Sequence, residues 1–92
     1  GVHDIAAMKL SAITNRGTKK DFIDLYFLLK TYALESLMDL YVEKYTSAQL
    51  FTTIKSLTYF EDAELDPMPR MAESLDWNCV KKSITEAVTG LD

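Results

Sequence analysis

The spacing of apolar residues predicts helices along almost the whole chain. Apolar side chains recur every three or four positions, which is the period of a helix with one buried face. No stretch alternates apolar and polar residues for long enough to predict a strand. We therefore expect an all-α fold, a compact bundle of about five helices in a single domain over residues 1–92. The predicted helices cover residues 4–15, 18–31 and 34–45, a segment after Thr46, and a segment after Asp76.

Capping residues and prolines mark the boundaries in the second half of the chain. Thr46 and Gln49 form a capping box that begins the fourth helix, although the pattern does not define where this helix ends. Residues 61–71 contain two prolines and several acids, which predicts a loop. Asp76 can cap the last helix, and Gly90 suits its end.

The first two predicted helices meet at a corner. Lys9 and Arg16 are seven positions apart on the first helix, about two turns, so their side chains share one face. Gly17 can adopt the positive φ that ends a helix, and Thr18 can cap the next one. The corner therefore places two basic side chains near the start of the second helix.

Two more lysines, Lys19 and Lys20, occupy the first turn of that second helix. A helix N-terminus carries partial positive charge and ordinarily favours acidic residues, so lysines there add to the positive potential. Together with Lys9 and Arg16 they predict a basic group that faces solvent beside free backbone N–H groups. Such an arrangement suits an anion such as phosphate.

Two aspartates on the second helix admit two interpretations. Asp21 and Asp24 lie three positions apart on one face, where they can hold the bases in place, bind a metal or accept a proton. Thr18 and Asp21 also match a capping box, which begins many helices without a catalytic role. At an exposed site, Asp21→Ala should change the free energy of unfolding by less than about 1 kcal/mol. If Asp21 is chiefly a cap, the substitution should impair folding.

A longer motif resembles a known family. The pattern Lys-Leu-x-Ala-Ile-x-x-Arg-Gly-x-x-Lys-Asp-x-x-Asp-Leu, from Lys9 to Leu25, is similar to the C-terminal motif of AbiEii/AbiGii-type nucleotidyltransferase toxins from abortive-infection toxin–antitoxin systems. Residues 57–64 and 67–71 are similar to the tail of that family, so the resemblance covers most of the chain.

The resemblance implies a nucleotide site with contributions from both helices. In the family, a lysine on one helix and the aspartate of a basic–acidic pair on the next line that site. The matching positions here are Lys9 and Asp21, our candidate catalytic residues. The candidates for other contacts with the nucleotide, taken from the motif or from the basic group, are Arg16, Lys19, Lys20 and Asp24.

One part of the family pattern is missing from these residues. The family's catalytic domain has a Gly-Ser turn and an Asp-x-Asp pair that hold the metal and the triphosphate, whereas Asp62 and Glu64 lack a preceding Gly-Ser. We therefore expect a helical C-terminal part of a longer enzyme, with no metal site of its own and no activity alone. For the full-length family the resemblance implies Mg²⁺ and a nucleoside triphosphate, with an RNA acceptor and an antitoxin protein as candidate partners.

Two other classes of function compete with this interpretation. A helical interaction module would dock a partner such as an antitoxin through its apolar stripes or acidic edge, and added nucleotide would not stabilise it. A helix-turn-helix over Ser11–Leu25 would place Lys19 and Lys20 on DNA. The second helix is apolar over most of its surface after Asp24, which leaves few positions to contact bases.

Charge and composition narrow the range of partners. The net charge is −4, but residues 1–30 hold five bases against three acids and residues 31–92 hold five bases against eleven acids. Positive potential is thus confined to the first two helices, which fits a small anion or a local RNA contact better than a long duplex. The apolar runs are too short for a membrane span and no signal peptide is recognisable, so we expect a cytoplasmic protein without a membrane partner.

Several conspicuous side chains are expected to serve packing. Cys79 is the single cysteine and follows a pattern typical of a buried helix face, so we expect an inert core thiol. Trp77, at the start of the last helix, and the pair Tyr59 and Phe60 are expected to be packing anchors.

Overall fold

Six α-helices and one short 3-10 helix form the fold of residues 2–91. The computed structural model describes the backbone of these residues and the side chains of residues 4–91. No strand occurs between residues 2 and 91, so the expected all-α class is confirmed. The helices are α1 (Val2–Asn15), α2 (Lys19–Thr31), α3 (Leu34–Val42), α4 (Ser47–Ser56), α5 (Glu61–Glu64) and α6 (Trp77–Thr89), with the 3-10 helix at Arg70–Ala72.

Helix α1 is the element around which the others are arranged. It packs against α2, α3 and α4, while α2 also packs against α6. The radius of gyration is 12.3 Å, close to the value of about 13 Å for a 100-residue domain. None of the helices within residues 2–91 has the length and apolar character that crossing a membrane requires.

Helix α5 lies in the segment that the sequence predicts to be a loop. Its single turn begins after Phe60, whose ring packs against Phe22 with ring centroids 4.9 Å apart. Ala63, in the middle of the turn, is fully buried. The helix stops before Pro67, which lacks the N–H that a helix interior needs. Tertiary packing therefore adds a sixth helix to the bundle of about five.

Helix α2 supplies the largest fully buried side chain, Phe22. Its ring is tilted against that of Phe60 and lies edge-on to that of Trp77, whose ring centroid is 6.2 Å away. Trp77 thus packs as expected and joins the start of α6 to α2. Further fully buried side chains are Leu10, Leu25, Leu37, Leu57, Val80 and Ile84.

Two expected core side chains lie at the surface instead. Cys79 is exposed because the buried face of α6 carries Val80 and Ile84, and adjacent helical positions are about 100° apart. Tyr59 is 52% exposed, since it follows the end of α4 and the chain turns so that Phe60 enters the core. The expectation of a buried thiol and a buried aromatic pair was wrong at these two positions.

A chain of hydroxyl groups joins α1, α4 and α3, from exposed Thr14 to buried Thr53 and Tyr41. Thr14 Oγ1 donates to Thr53 Oγ1 at 2.8 Å, and Thr53 Oγ1 donates to the Tyr41 hydroxyl at 3.0 Å. Thr53 is fully buried and Tyr41 nearly so. A buried hydroxyl is costly without a partner, so this chain fixes the relative positions of three helices.

Replacing Thr53 with valine keeps the shape of the side chain and removes the middle hydroxyl. We expect Thr53→Val to lower the free energy of unfolding by about 1–3 kcal/mol, because the Tyr41 hydroxyl loses a buried partner. Urea denaturation measures the change. Thr52→Val on the exposed side of the same helix is the control and should change stability by less than about 0.5 kcal/mol. Equal effects of the two substitutions would contradict the structural role of the hydroxyl chain.

Candidate functional site

The corner between α1 and α2 is built on a glycine in the left-handed region. Gly17 has φ of +60°, and its N–H donates to the Ala12 carbonyl at 3.3 Å. A Cβ at this position would lie 3.3 Å from the Ile13 carbonyl oxygen, so a larger residue would be strained. The turn brings the end of α1 directly to Thr18, which caps α2 as the sequence predicts.

Asp21 is buried within this corner and only 1% exposed. Its carboxylate accepts hydrogen bonds from the Thr18 hydroxyl at 2.8 Å and the Thr18 backbone N–H at 3.3 Å. The Asp21 N–H donates in return to Thr18 Oγ1 at 3.2 Å, which completes the capping box. The other carboxylate oxygen lies 2.7 Å from Arg16 Nη2. Asp21 therefore joins the end of α1 to the start of α2 and does not face solvent.

Lys19 also lies inside the fold, with 7% of its surface exposed. Its ammonium group is 5.0 Å from the centroid of the Trp77 ring and 3.4 Å from the Glu64 carbonyl oxygen. Its backbone N–H donates to Asp66 Oδ2 at 3.0 Å. The segment containing α5 thus covers the beginning of α2.

Because of these contacts, the start of α2 is not the open anion site that the sequence predicts. The backbone N–H groups of Lys19 and Asp21 already have partners in Asp66 and Thr18. The expectation that all four bases face solvent is wrong for Lys19, because packing against Trp77 stabilises its ammonium group inside the fold.

Lys9 pairs with Asp24 across the α1–α2 contact. The Lys9 Nζ and Asp24 Oδ2 atoms are 2.6 Å apart, and the two side chains are 28% and 30% exposed. The pair opens onto a depression of about 340 Å³. The other residues that line this depression are Ile5, Phe27, Leu28 and Thr31.

Arg16 remains accessible although it contacts Asp21. Its side chain is 62% exposed. Arg16 and Lys9 line a second depression on α1, in accord with their seven-residue spacing. Lys20 is exposed as well. The accessible candidates are therefore Lys9, Arg16 and Lys20, with Asp24 half-buried beside Lys9.

The arrangement of the two α1 cations is suited to binding an anion. Each of the two α1 cations has an aspartate partner on α2, so its position is set before any ligand arrives. Within residues 4–91, no group of three or more His, Cys, Asp or Glu side chains is placed to hold a metal ion.

A cluster around Glu64 was not anticipated from the sequence. Its carboxylate accepts a hydrogen bond from Trp77 Nε1 and lies 2.9 Å from Lys81 Nζ. The hydrogen bond from Trp77, followed by that from Lys81, lowers the pKa of Glu64 below its ordinary value. Glu64 and Asp66 belong to an acidic segment without helical periodicity, so no sequence signal distinguished them.

Comparison with known proteins gives the family of this chain. Residues 1–89 match the model of the nucleotidyl transferase AbiEii toxin of type IV toxin–antitoxin systems. The chain belongs to this family, as the motif from Lys9 to Leu25 predicted. The match covers nearly the whole chain and therefore includes the corner and both of its ion pairs.

A relative from Aquifex aeolicus (strain VF5) carries the name uncharacterized protein. It is 48% identical to the chain over 65 residues, which make up 68% of this chain and 32% of the relative. The matched part thus spans about a third of that protein's length. No solved structure matches the chain.

Removing the Asp21 carboxylate should destabilise the fold. We expect Asp21→Ala to lower the free energy of unfolding by about 1–3 kcal/mol, because Thr18 and Arg16 lose a common acceptor. Asp24→Ala is the matched control, and its partly exposed ion pair should contribute less than about 1 kcal/mol. Urea denaturation of both variants measures the difference. A loss for Asp21→Ala no greater than that of the control would contradict the capping role.

Glu64 should make stability depend on pH in the acidic range. Because folding lowers its pKa, the stabilisation is fully present above the ordinary glutamate pKa of about 4.5. It is lost as pH falls through the folded-state pKa. The urea midpoint of the unmodified protein should exceed that of Glu64→Gln at neutral pH, and the gap should close in acid. Glu73→Gln, at an exposed site, is the control. A gap that is constant with pH would exclude this contribution.

Proposed function

We propose that this chain provides the phosphate-binding part of the nucleotide site in a nucleotidyltransferase toxin. The observation that supports this role is that Lys9 and Arg16 line one depression on α1 while each is held by an aspartate of α2. Lys20 adds positive potential at the nearby start of α2. Asp24 and Asp21 act in this proposal as positioning residues for Lys9 and Arg16.

Nucleotidyl transfer requires cations where negative charge accumulates. The acceptor hydroxyl attacks the α-phosphorus and its proton passes to water. The bond between the α-phosphorus and the oxygen that bridges it to the β-phosphorus breaks, so pyrophosphate leaves with the electron pair of that bond. Lysine and arginine beside the phosphates offset the negative charge on these oxygens. An Mg²⁺ requirement stays a prediction from the family resemblance.

The ion pairs do not prevent the two cations from binding phosphate. The Lys9–Asp24 pair is partly exposed and contributes about 0–1 kcal/mol, so exchange of its carboxylate for a phosphate costs little. Arg16 has five N–H donors and uses one of its nitrogens for Asp21, which leaves donors for a second anion. Buried Asp21, with its three hydrogen bonds, would keep the guanidinium in place during this contact.

An interaction role is the second candidate, and exposed apolar side chains favour it. Ile5, Met8 and Phe27 are 49%, 64% and 50% exposed. Ile5 lines one depression with Phe27 and another with Met8, so the three side chains form an apolar area on α1 and α2. Such an area suits a protein partner. An antitoxin is the candidate that the family suggests, whereas an RNA acceptor and a cytoplasmic location stay predictions.

The phosphate-binding role is tested on the full-length gene product. We expect Lys9→Ala and Arg16→Ala each to lower kcat/KM for nucleotide transfer by about 10²–10³-fold, the loss typical for one group that stabilises transition-state charge. Lys82→Ala, an exposed lysine on α6, is the control and should retain activity. Thermal unfolding should show that Lys9→Ala remains folded.

The same variants separate the two candidate functions. Unchanged transfer by both Lys9→Ala and Arg16→Ala would overturn the phosphate-binding role. Loss of antitoxin binding in Met8→Lys, together with unchanged transfer in those two variants, would favour the interaction module.

A further inference from the structure

A further recess, distinct from the two depressions that Lys9 lines, lies between α1, the end of α3 and helix α4. It has a volume of about 270 Å³. Every side chain that lines it carries a hydroxyl or a carboxamide, and none of them is charged. We call this recess the polar groove. Its principal lining residues are Ser11, Asn15, Tyr41, Tyr45, Gln49 and Thr52.

The polar groove has a supported aromatic wall. The rings of Tyr41 and Tyr45 stack with centroids 4.5 Å apart and an angle of 23° between their planes. Tyr41 is buried and its hydroxyl is held by Thr53, so Tyr45 rests on a fixed neighbour. An aromatic ring in a fixed position loses little conformational entropy when a planar ligand packs on it.

Gln49 provides a hydrogen-bond donor whose orientation is fixed. Its Oε1 accepts from the Thr46 backbone N–H at 2.8 Å and from the Thr46 hydroxyl at 3.1 Å, as the capping box of α4 requires. The oxygen is therefore engaged in the cap, and the carboxamide nitrogen is left as the donor. The same residue thus begins α4 and lines the groove.

The polar groove lies next to the depressions that the cations line. An intervening depression shares Ser11, Asn15 and Tyr45 with the groove. It also shares Arg16 with the depression that Lys9 lines. The groove and the two depressions are therefore neighbours along α1, with cations at one end and neutral side chains at the other. A nucleotide has the same division into charged phosphates and an uncharged base.

We propose that the polar groove binds the nucleobase of the nucleotide whose phosphates contact Arg16. This inference rests on the proposed function and adds the site for the base. A base offers a flat aromatic face to Tyr45 and neutral edge groups to Gln49, Asn15 and Thr52. Aromatic stacking with edge hydrogen bonds is the usual way in which proteins bind unpaired bases.

The experiment measures binding to the full-length gene product by competition with a fluorescent nucleoside triphosphate. The probes are the four ribonucleoside triphosphates, the four uncharged nucleosides, inorganic triphosphate and a short oligoribonucleotide. Gln49→Glu is the principal variant, since glutamate retains the capping box but replaces the donor with a charged acceptor. Tyr45→Leu removes the ring, and Tyr59→Leu, at an exposed tyrosine on another segment, is its control.

We expect Gln49→Glu and Tyr45→Leu to weaken binding of at least one nucleoside triphosphate and of its nucleoside by about fivefold or more. Binding of inorganic triphosphate should not change. Arg16→Ala should weaken binding of the nucleoside triphosphates and of inorganic triphosphate. Unchanged nucleoside triphosphate affinity in Gln49→Glu and Tyr45→Leu, or an absence of nucleotide binding altogether, would overturn the proposed base site.

Other outcomes separate this inference from the proposed function. Nucleoside binding that depends on Gln49, with triphosphate binding that does not depend on Lys9 or Arg16, would support the groove and overturn the phosphate-binding role. An effect of Gln49→Glu on the oligoribonucleotide alone would assign the groove to an RNA end and overturn a mononucleotide ligand.

Discussion

The carboxylate of Asp21 is the group on which the arrangement of the first two helices depends. It closes the capping box with Thr18 and pairs with Arg16 at 2.7 Å, so one buried side chain joins the start of α2 to the end of α1. Because α1 also packs against α3 and α4, and α2 against α6, the angle at this corner affects the whole bundle. Asp21 matches a family motif and is also a structural link between α1 and α2. A substitution at Asp21 would therefore affect both the stability of the fold and the proposed positioning of Arg16.

Ion pairing with aspartates and burial reduce the number of unpaired cations in the basic N-terminal region. Five bases lie within residues 1–30, but Lys9 and Arg16 are paired with Asp24 and Asp21, and Lys19 is buried against Trp77. The region therefore presents a few cations in defined positions and not a broad positive surface. This suits a small anionic ligand whose charges are concentrated at one end. Because of this pairing and burial, the candidate anion site lies on the outer surface of α1 and not at the N-terminus of α2.

Membership of the AbiEii toxin family gives these features a context. The chain's match covers 32% of the length of its Aquifex aeolicus relative, about a third of that protein. On our proposal this helical part contributes phosphate contacts through Lys9 and Arg16 and a base site through Tyr45 and Gln49. The exposed apolar area around Met8 is adjacent to the same depressions, so a protein bound there would lie close to the nucleotide.

The sequence by itself determined the helical class, the glycine turn, both capping boxes and the family, because these depend on local periodicity, capping chemistry and motif spacing. It did not predict that α5 forms or that Cys79 and Tyr59 are exposed. Only the tertiary structure decided which aspartate pairs with which cation, that Lys19 is buried beneath residues more than 40 positions away, and that Thr53 joins two other helices. These features arise from contacts between distant segments, and burial and ion pairing are properties of such contacts and not of local sequence.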